Sequence, residues 1–200
     1  MNAHIVFVHP SRQSFSADVK LAFCRGLKEA NHTYTVSDLY AMGFQTDMDE
    51  TQYRREVTPG SLLDVPVDVL DEQRRVDAAQ ILVFIYPVWW SDGPAKLKGW
   101  FDRVFTRGWA YSYADDGERS SKIRPLRTLV ICPAGHTAES LEDTGIATAM
   151  RTIMLADRLG NAGLTDGKMV FLGGMMPNDD TMREANLHRA YMLGRDLEVG

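Results

Sequence analysis

Three short stretches hold residue types that can bind and tune a small ligand: HPSRQSFS (9–16), PVWWSDGP (87–94) and PAGHTAES (133–140). In the first, Ser14 or Ser16 can cap a helix that opens near Phe15. The unpaired N–H groups of such a helix start form an anion site, and His9 and Arg12 add charge beside it. The same serines also fit an ordinary capped helix next to a solvated turn. The stretch is neither GxGxxG nor GxxxxGK(S/T), which disfavours a dinucleotide fingerprint and a P-loop. In the second, Trp89 and Trp90 stand side by side after Pro87 and Val88. Neighbours in an extended segment point opposite ways, so one indole is expected under the following helix and the other toward a ligand. Aromatic faces beside backbone donors suit a planar ring that needs stacking and edge hydrogen bonds. In the third, Gly135 after Ala134 permits close backbone approach. His136 is either a titratable group aimed at a ligand or a plain surface-loop histidine.

Strand and helix alternate around these loops. HIVFV (4–8), TYTVSDL (33–39), AQILVFIYP (79–87), RTLVIC (127–132) and KMVFLG (168–173) predict five strands. A helix is predicted from Phe15, where Val19, Ala22, Phe23, Gly26, Leu27 and Ala30 continue one apolar stripe. PAKLKGWFDRVFTRG (94–108) predicts another, with Leu97, Trp100, Phe101, Val104 and Phe105 on one face, Pro94 in its first turn and Gly108 at its end. Further helices are expected around 144–159 and over 180–197, and 41–75 reads as a polar, irregular excursion with a helical piece near 49–56. Alternation of this kind predicts an α/β fold: a doubly wound, five-stranded parallel sheet with helices on both faces, in one domain over 1–200. Ligands of such sheets bind at the carboxyl ends of the strands, beside the switch in strand order. That rule selects the three loops above. An anion site, a platform for a flat ring and a titratable loop at one sheet edge suit a flavin nucleotide.

Bulk composition narrows the alternatives. A chain of 200 residues suits one domain with a sizeable core. A net charge of −5 leaves no general polyanion surface, so no nucleic-acid partner is expected. Cys24 and Cys132 are the two cysteines, without a CxxC pair or a Cys/His cluster. They are expected as buried free thiols, with no metal site and no disulfide. The opening MNAHIVFVHP lacks the features of a secretory signal, and no run reaches 18 apolar residues, so no transmembrane segment and a cytoplasmic setting are expected.

HPSRQSFS, DLYAMGF (38–44), the YPVWW…GPAKLKGWFDRVFTRGWAY segment and the glycine-containing loop after strand four resemble the NAD(P)H:quinone oxidoreductase family. This flavodoxin-like group includes the mammalian quinone reductases and bacterial drug-activity modulators and potassium-efflux ancillary flavoproteins. The resemblance implies a flavodoxin-like fold, a tightly bound FAD or FMN, NADPH or NADH as electron donor, and a quinone or similar acceptor. It also implies two-electron transfer and a homodimer with its sites at the interface. The alternative within the family is a flavin-bound regulatory subunit that docks, as a peripheral partner, on a membrane transport protein.

Residue by residue, the resemblance assigns His9, Ser14, Phe15 and Ser16 to the flavin phosphate loop. It assigns Pro87, Val88, Trp89 and Trp90 to the segment that holds the ring, and Ala134, Gly135 and His136 to the loop along its edge. His136 is the candidate donor toward the reduced ring. Tyr111 and Tyr113, in the aromatic segment GWAYSYADDGERSSK (108–122), would reach the acceptor site of a partner subunit. Two departures bear on the acceptor pocket. The family's loop tyrosine falls at Glu139 or a neighbour, and Ser91 stands where an aromatic usually follows the loop tryptophan. A more open and more polar pocket is therefore expected.

Overall fold

The computed structural model describes residues 1–113, 119–124, 126–176 and 179–197. Five strands, β1 (Asn2–Phe7), β2 (Thr33–Asp38), β3 (Ile81–Ile85), β6 (Arg127–Pro133) and β7 (Gly167–Leu172), form one parallel sheet in the order β2-β1-β3-β6-β7. After β1 the chain builds outward to β2, then returns to the other side of β1 for β3. The switch in direction thus lies between β1 and β3, and their carboxyl-end loops face one crevice. The central strands β1, β3 and β6 are largely apolar because both faces are covered, whereas the edge strand β2 is polar with a single buried position. Along β1 and its exit, Ile5 and Phe7 enter the layer beneath α1 (Phe15–Glu29) and α7 (Asp180–Arg195), while Val6 and, just past the strand, Val8 enter the opposite layer.

That second layer rests on α3 (Val67–Ala78) and α4 (Ala95–Val104). Leu97, Trp100, Phe101 and Val104 of α4 are buried, as their spacing predicts. Trp100 Nε1 donates to Glu72 Oε2 of α3 at 2.8 Å, and Ser37 Oγ donates to Glu72 Oε1 at 2.7 Å. His4 Nε2 lies 3.9 Å from Glu72 Oε2. Burial pushes the Glu72 carboxyl up, but the surrounding His4, Trp100 and Ser37 groups outweigh it and hold it below its ordinary range.

The structure corrects four expectations of local structure. The excursion 41–75 contains not only α2 (Glu50–Val57) but most of α3, which the sequence reading left irregular. The inward positions of α3 are Val69, Glu72, Gln73 and Val76, an i, i+3, i+4, i+7 stripe whose middle two members are polar, so the apolar period is broken. The single helix expected over 144–159 is two pieces, α6 (Ile146–Arg151) and a π-helical run over Thr152–Leu159, and a short helix that was not expected, α5 (Ala138–Asp143), precedes them. A two-stranded antiparallel ribbon, β4 (Tyr111–Tyr113) and β5 (Arg119–Ser121), follows α4 where no strand was expected. Residues 114–118 of the predicted interface segment lie outside the described residues. Neither indole of the Trp89–Trp90 pair packs under α4; both are exposed.

Cys24 and Cys132 are free and buried. Among the described residues no cluster could hold a metal ion, and no helix is long and apolar enough to cross a membrane.

Candidate active site

Four carboxyl-end segments of the sheet meet around a cleft of about 500 Å³. The first follows β1. Val8 N–H donates to Ile85 O at 3.0 Å, which ties the strand's exit to β3. His9 Nδ1 lies 3.0 Å from Ser11 N and 3.1 Å from Ser11 O, so the ring is held against its own turn. Ser14 caps α1 by accepting from Ala17 N–H at 3.2 Å and donates its own hydroxyl hydrogen to Ser11 O at 3.0 Å. The loop is therefore fixed by its own side chains. The first-turn amides of Phe15 and Ser16 have no partner inside the helix and sit at the positive end of a 15-residue dipole. His9, Phe15 and Ser16 line the cleft; Ser14 does not, being spent on the cap.

The second segment follows β3. Val88 N–H donates to Pro133 O at 2.8 Å and joins this loop to the one after β6. The chain then turns back on itself: Trp89 N–H donates to Asp92 O at 2.8 Å and Asp92 N–H to Trp89 O at 3.1 Å. The two central residues, Trp90 (φ 50°) and Ser91 (φ 63°), are both left-handed. Tight two-residue turns of this hand favour Asn and Gly, because a Cβ is strained there. Here the turn holds an indole fully in solvent at position 90, with Trp89 about 41% exposed beside it. The Trp89 ring meets the His9 ring edge-on at 5.7 Å. Pro87, Val88, Trp89, Trp90 and Ser91 all line the cleft.

The third and fourth segments form the opposite wall. Ala134 N–H donates to Leu172 O at 3.0 Å, and Thr137 caps α5 by accepting from Ser140 N–H at 3.1 Å. The segment after β7 is tied to this loop through Gly174 N–H to His136 O (2.9 Å), Met175 N–H to Ala134 O (3.2 Å) and Met176 N–H to Gly135 O (3.1 Å). The approach is so close that a Cβ at Gly173 would lie 2.4 Å from His136 O. Ala134, Gly135 and His136 line the cleft, and His136 is exposed.

The sequence reading missed Pro133, Leu141, Ile146, Met175 and Met176, which complete the lining. The last two follow β7, a fourth carboxyl-end loop that the switch-point rule could have added. Glu139 is exposed and does not line the cleft; Leu141 does. The wall is therefore more apolar than predicted: helix α5 turns every third or fourth residue inward, and the inward one here is leucine. The floor is dry. Burial pushes the Cys132 thiol up to about 12 and the Tyr86 hydroxyl well above its ordinary range, so both stay neutral.

Tyr111 and Tyr113 are not part of this cleft. They project from one face of the ribbon with ring centroids 5.7 Å apart, and Arg107 lies 5.8 Å from the Tyr113 ring.

A model of the flavodoxin-like fold matches residues 1–192. A rat NAD(P)H dehydrogenase (quinone) 1 is 31% identical over 168 residues, which cover 76% of this chain and 60% of the rat protein. A human ribosyldihydronicotinamide dehydrogenase (quinone) is 33% identical over 158 residues, covering 71% and 67% of the two chains. The chain thus spans under two thirds of the rat relative's length. A solved NAD(P)H:quinone oxidoreductase from Methanothermobacter marburgensis is 52% identical, with a TM-score of 0.92 and 99% of each chain covered.

Proposed function

We propose that this chain, which belongs to the flavodoxin-like fold family, is a flavin-dependent NAD(P)H:quinone oxidoreductase that works as a homodimer in the cytoplasm. The observation that carries the reading is the Trp89–Trp90 pair: two large apolar rings held in solvent at the rim of a cleft. Leaving an indole exposed forgoes its burial energy, and the fold gains nothing from it. A planar ring system that slides between Trp90 and the Gly135 loop recovers that surface.

The residues fit a flavin. The first-turn amides of Phe15 and Ser16 would receive a phosphate, and the α1 dipole favours its charge. Pro87 to Trp90 would hold the ring's face and edge. Gly135, with no side chain of its own, lets backbone approach from the opposite side, while Met176 closes over it. His136, exposed on that wall, would donate a hydrogen bond to the pyrimidine edge of the ring, where negative charge develops on reduction. When bound, the flavin supplies the two-electron transfer between a nicotinamide and a quinone. The protein's part is to hold the ring, expose one face and keep water from the floor through Leu141, Ile146 and Pro133.

Tyr111 and Tyr113 lie outside the cleft of their own chain, so any service to an acceptor would be rendered to a second copy. The 52% identity to a solved NAD(P)H:quinone oxidoreductase over almost the whole chain supports the assignment of activity. Steady-state kinetics with NAD(P)H and a simple benzoquinone test it. Two flat substrates that alternate on one exposed ring face give parallel double-reciprocal lines. Intersecting lines would rule out the single shared site.

A further inference from the structure

The Trp90–Ser91 turn poses a problem of its own. Among the described residues the non-glycine positions with positive φ are Asn31, Trp90 and Ser91. Asn31 follows a helix end, where asparagine commonly takes this conformation. Trp90 and Ser91 have no such excuse, and they are adjacent. Two backbone hydrogen bonds close the turn, yet its tip is in water, where other turns compete. Something must select this one.

Asp92, which closes the turn, is held from two sides. Its Oδ1 accepts from Gly93 N–H at 2.7 Å. Its two carboxylate oxygens also face the fork of Arg158, with Nη1 to Oδ1 at 3.4 Å and Nη2 to Oδ2 at 3.1 Å. The Arg158 side chain is only 15% exposed, and its guanidinium lies 5.8 Å from the Phe101 ring of α4, so it is packed as well as paired. Arg158 sits in the π-helical run 152–159, between buried Met154 and Leu159. A π turn takes more residues than an α turn, so an α-helical continuation would aim residue 158 elsewhere. π-helical turns are rare and are frequently found at functional sites.

We infer that Arg158 is a positioning residue: through Asp92 it holds the Trp89–Asp92 turn in its left-handed form, and so pre-sets the Trp90 platform before any ligand arrives. The π-helical run is the device that aims it. The consequence for ring binding rests on the flavin reading above; the clamp itself does not. Pre-organisation of this kind raises affinity by removing an ordering cost rather than by adding a contact. Without the pair, the turn samples right-handed forms in which Trp90 no longer faces the cleft.

The test reads the turn directly. Amide hydrogen exchange at Trp89 and Asp92, measured by ¹⁵N NMR on apoprotein, reports whether the turn is closed. In Arg158→Ala both amides are expected to exchange roughly tenfold faster, the factor that ~1.4 kcal/mol of lost turn stability produces, while amides of β1 and β3 keep their protection. Asp92→Asn keeps an acceptor for Gly93 but discharges the pair, and is expected to act in the same direction; it carries the test if Arg158→Ala does not fold. Rescue separates positioning from a general packing role. Glycine adopts positive φ without strain, so in a Ser91→Gly background the Arg158→Ala effect on exchange should shrink severalfold. In parallel, the Kd of the apoprotein for FMN should rise in Arg158→Ala and rise less in the double variant. Unchanged exchange at Trp89 and Asp92 in both single variants, or a loss equally large with and without Ser91→Gly, overturns the inference. If wild-type apoprotein binds neither FMN nor FAD, the flavin reading fails, and the exchange result still decides the clamp.

Discussion

Truncating Trp90 and truncating Trp100 should damage the protein in different ways. Trp100 is fully buried, meets Phe84, Phe101 and Phe105 edge to face at ring-centroid distances of 5.2 to 5.7 Å, and donates to the buried Glu72 carboxylate. Trp100→Ala should cost ~3–5 kcal/mol. For a chain of this size each kcal/mol lowers Tm by about 2–4 °C, so a fall of roughly 6–20 °C is expected. Trp90 buries nothing, and its loss should change stability by no more than about 0.5 kcal/mol, hence Tm by ~1–2 °C. Ring stacking is worth ~1–3 kcal/mol, so flavin Kd should rise roughly 5- to 150-fold in Trp90→Ala. The assay pairs thermal melts of apoprotein with titration of flavin fluorescence, and normalises turnover to bound flavin. If Trp90→Ala lost as much Tm as Trp100→Ala, with flavin Kd and turnover per bound flavin unchanged, the indole would be part of the core and the platform argument would be wrong.

Two other predictions follow from the same geometry. Glu72 has a folded pKa below its ordinary value of 4.5, so its contribution to stability is present above that value and is lost as pH falls through the lower folded value. Denaturant melts should therefore show Glu72→Gln least stable relative to wild type at pH 7, with the gap closing below about pH 4.5; a pH-independent gap would contradict the linkage. For the proposed dimer, a chain carrying Trp89→Ala and Trp90→Ala and a chain carrying Tyr111→Phe and Tyr113→Phe are each expected to be impaired as homodimers. Co-expressed with two tags, they should give a heterodimer with one intact site and about half the wild-type turnover. A heterodimer no more active than its parents, or sedimentation as monomer at micromolar concentration, would refute a site shared between chains.

The sheet was legible because its signal is simple. Parallel strands buried on both faces are largely apolar, and the IVFV of HIVFV, ILVFI and the LVIC of RTLVIC show it. Three of the four cleft segments followed from strand ends alone. The failures share a cause: tertiary partners that pattern cannot reveal. α3 hid because Glu72 and Gln73 point inward to Trp100, Ser37, Val104 and Thr106, and polar residues read as surface. The π-helical run hid because its apolar spacing resembles that of an α-helix, and only the reach of Arg158 to Asp92, 66 residues away in sequence, shows what the offset achieves. Trp89 and Trp90 were expected to point opposite ways as neighbours in an extended chain. A left-handed turn breaks that alternation and sends both to the rim. Met175 and Met176 lie in a loop that the carboxyl-end rule reaches, but what holds them against the cleft, backbone hydrogen bonds to residues 134–136, has no sequence signal.

The proposed flavin can be read directly from the purified protein. Purified protein should be yellow, and release of the chromophore followed by mass analysis should identify FMN or FAD at about one per chain. Protein stripped of ligand should quench the fluorescence of the flavin it is given back. Colourless protein whose apo form, offered excess FMN and excess FAD, leaves the fluorescence of both unchanged would contradict the account.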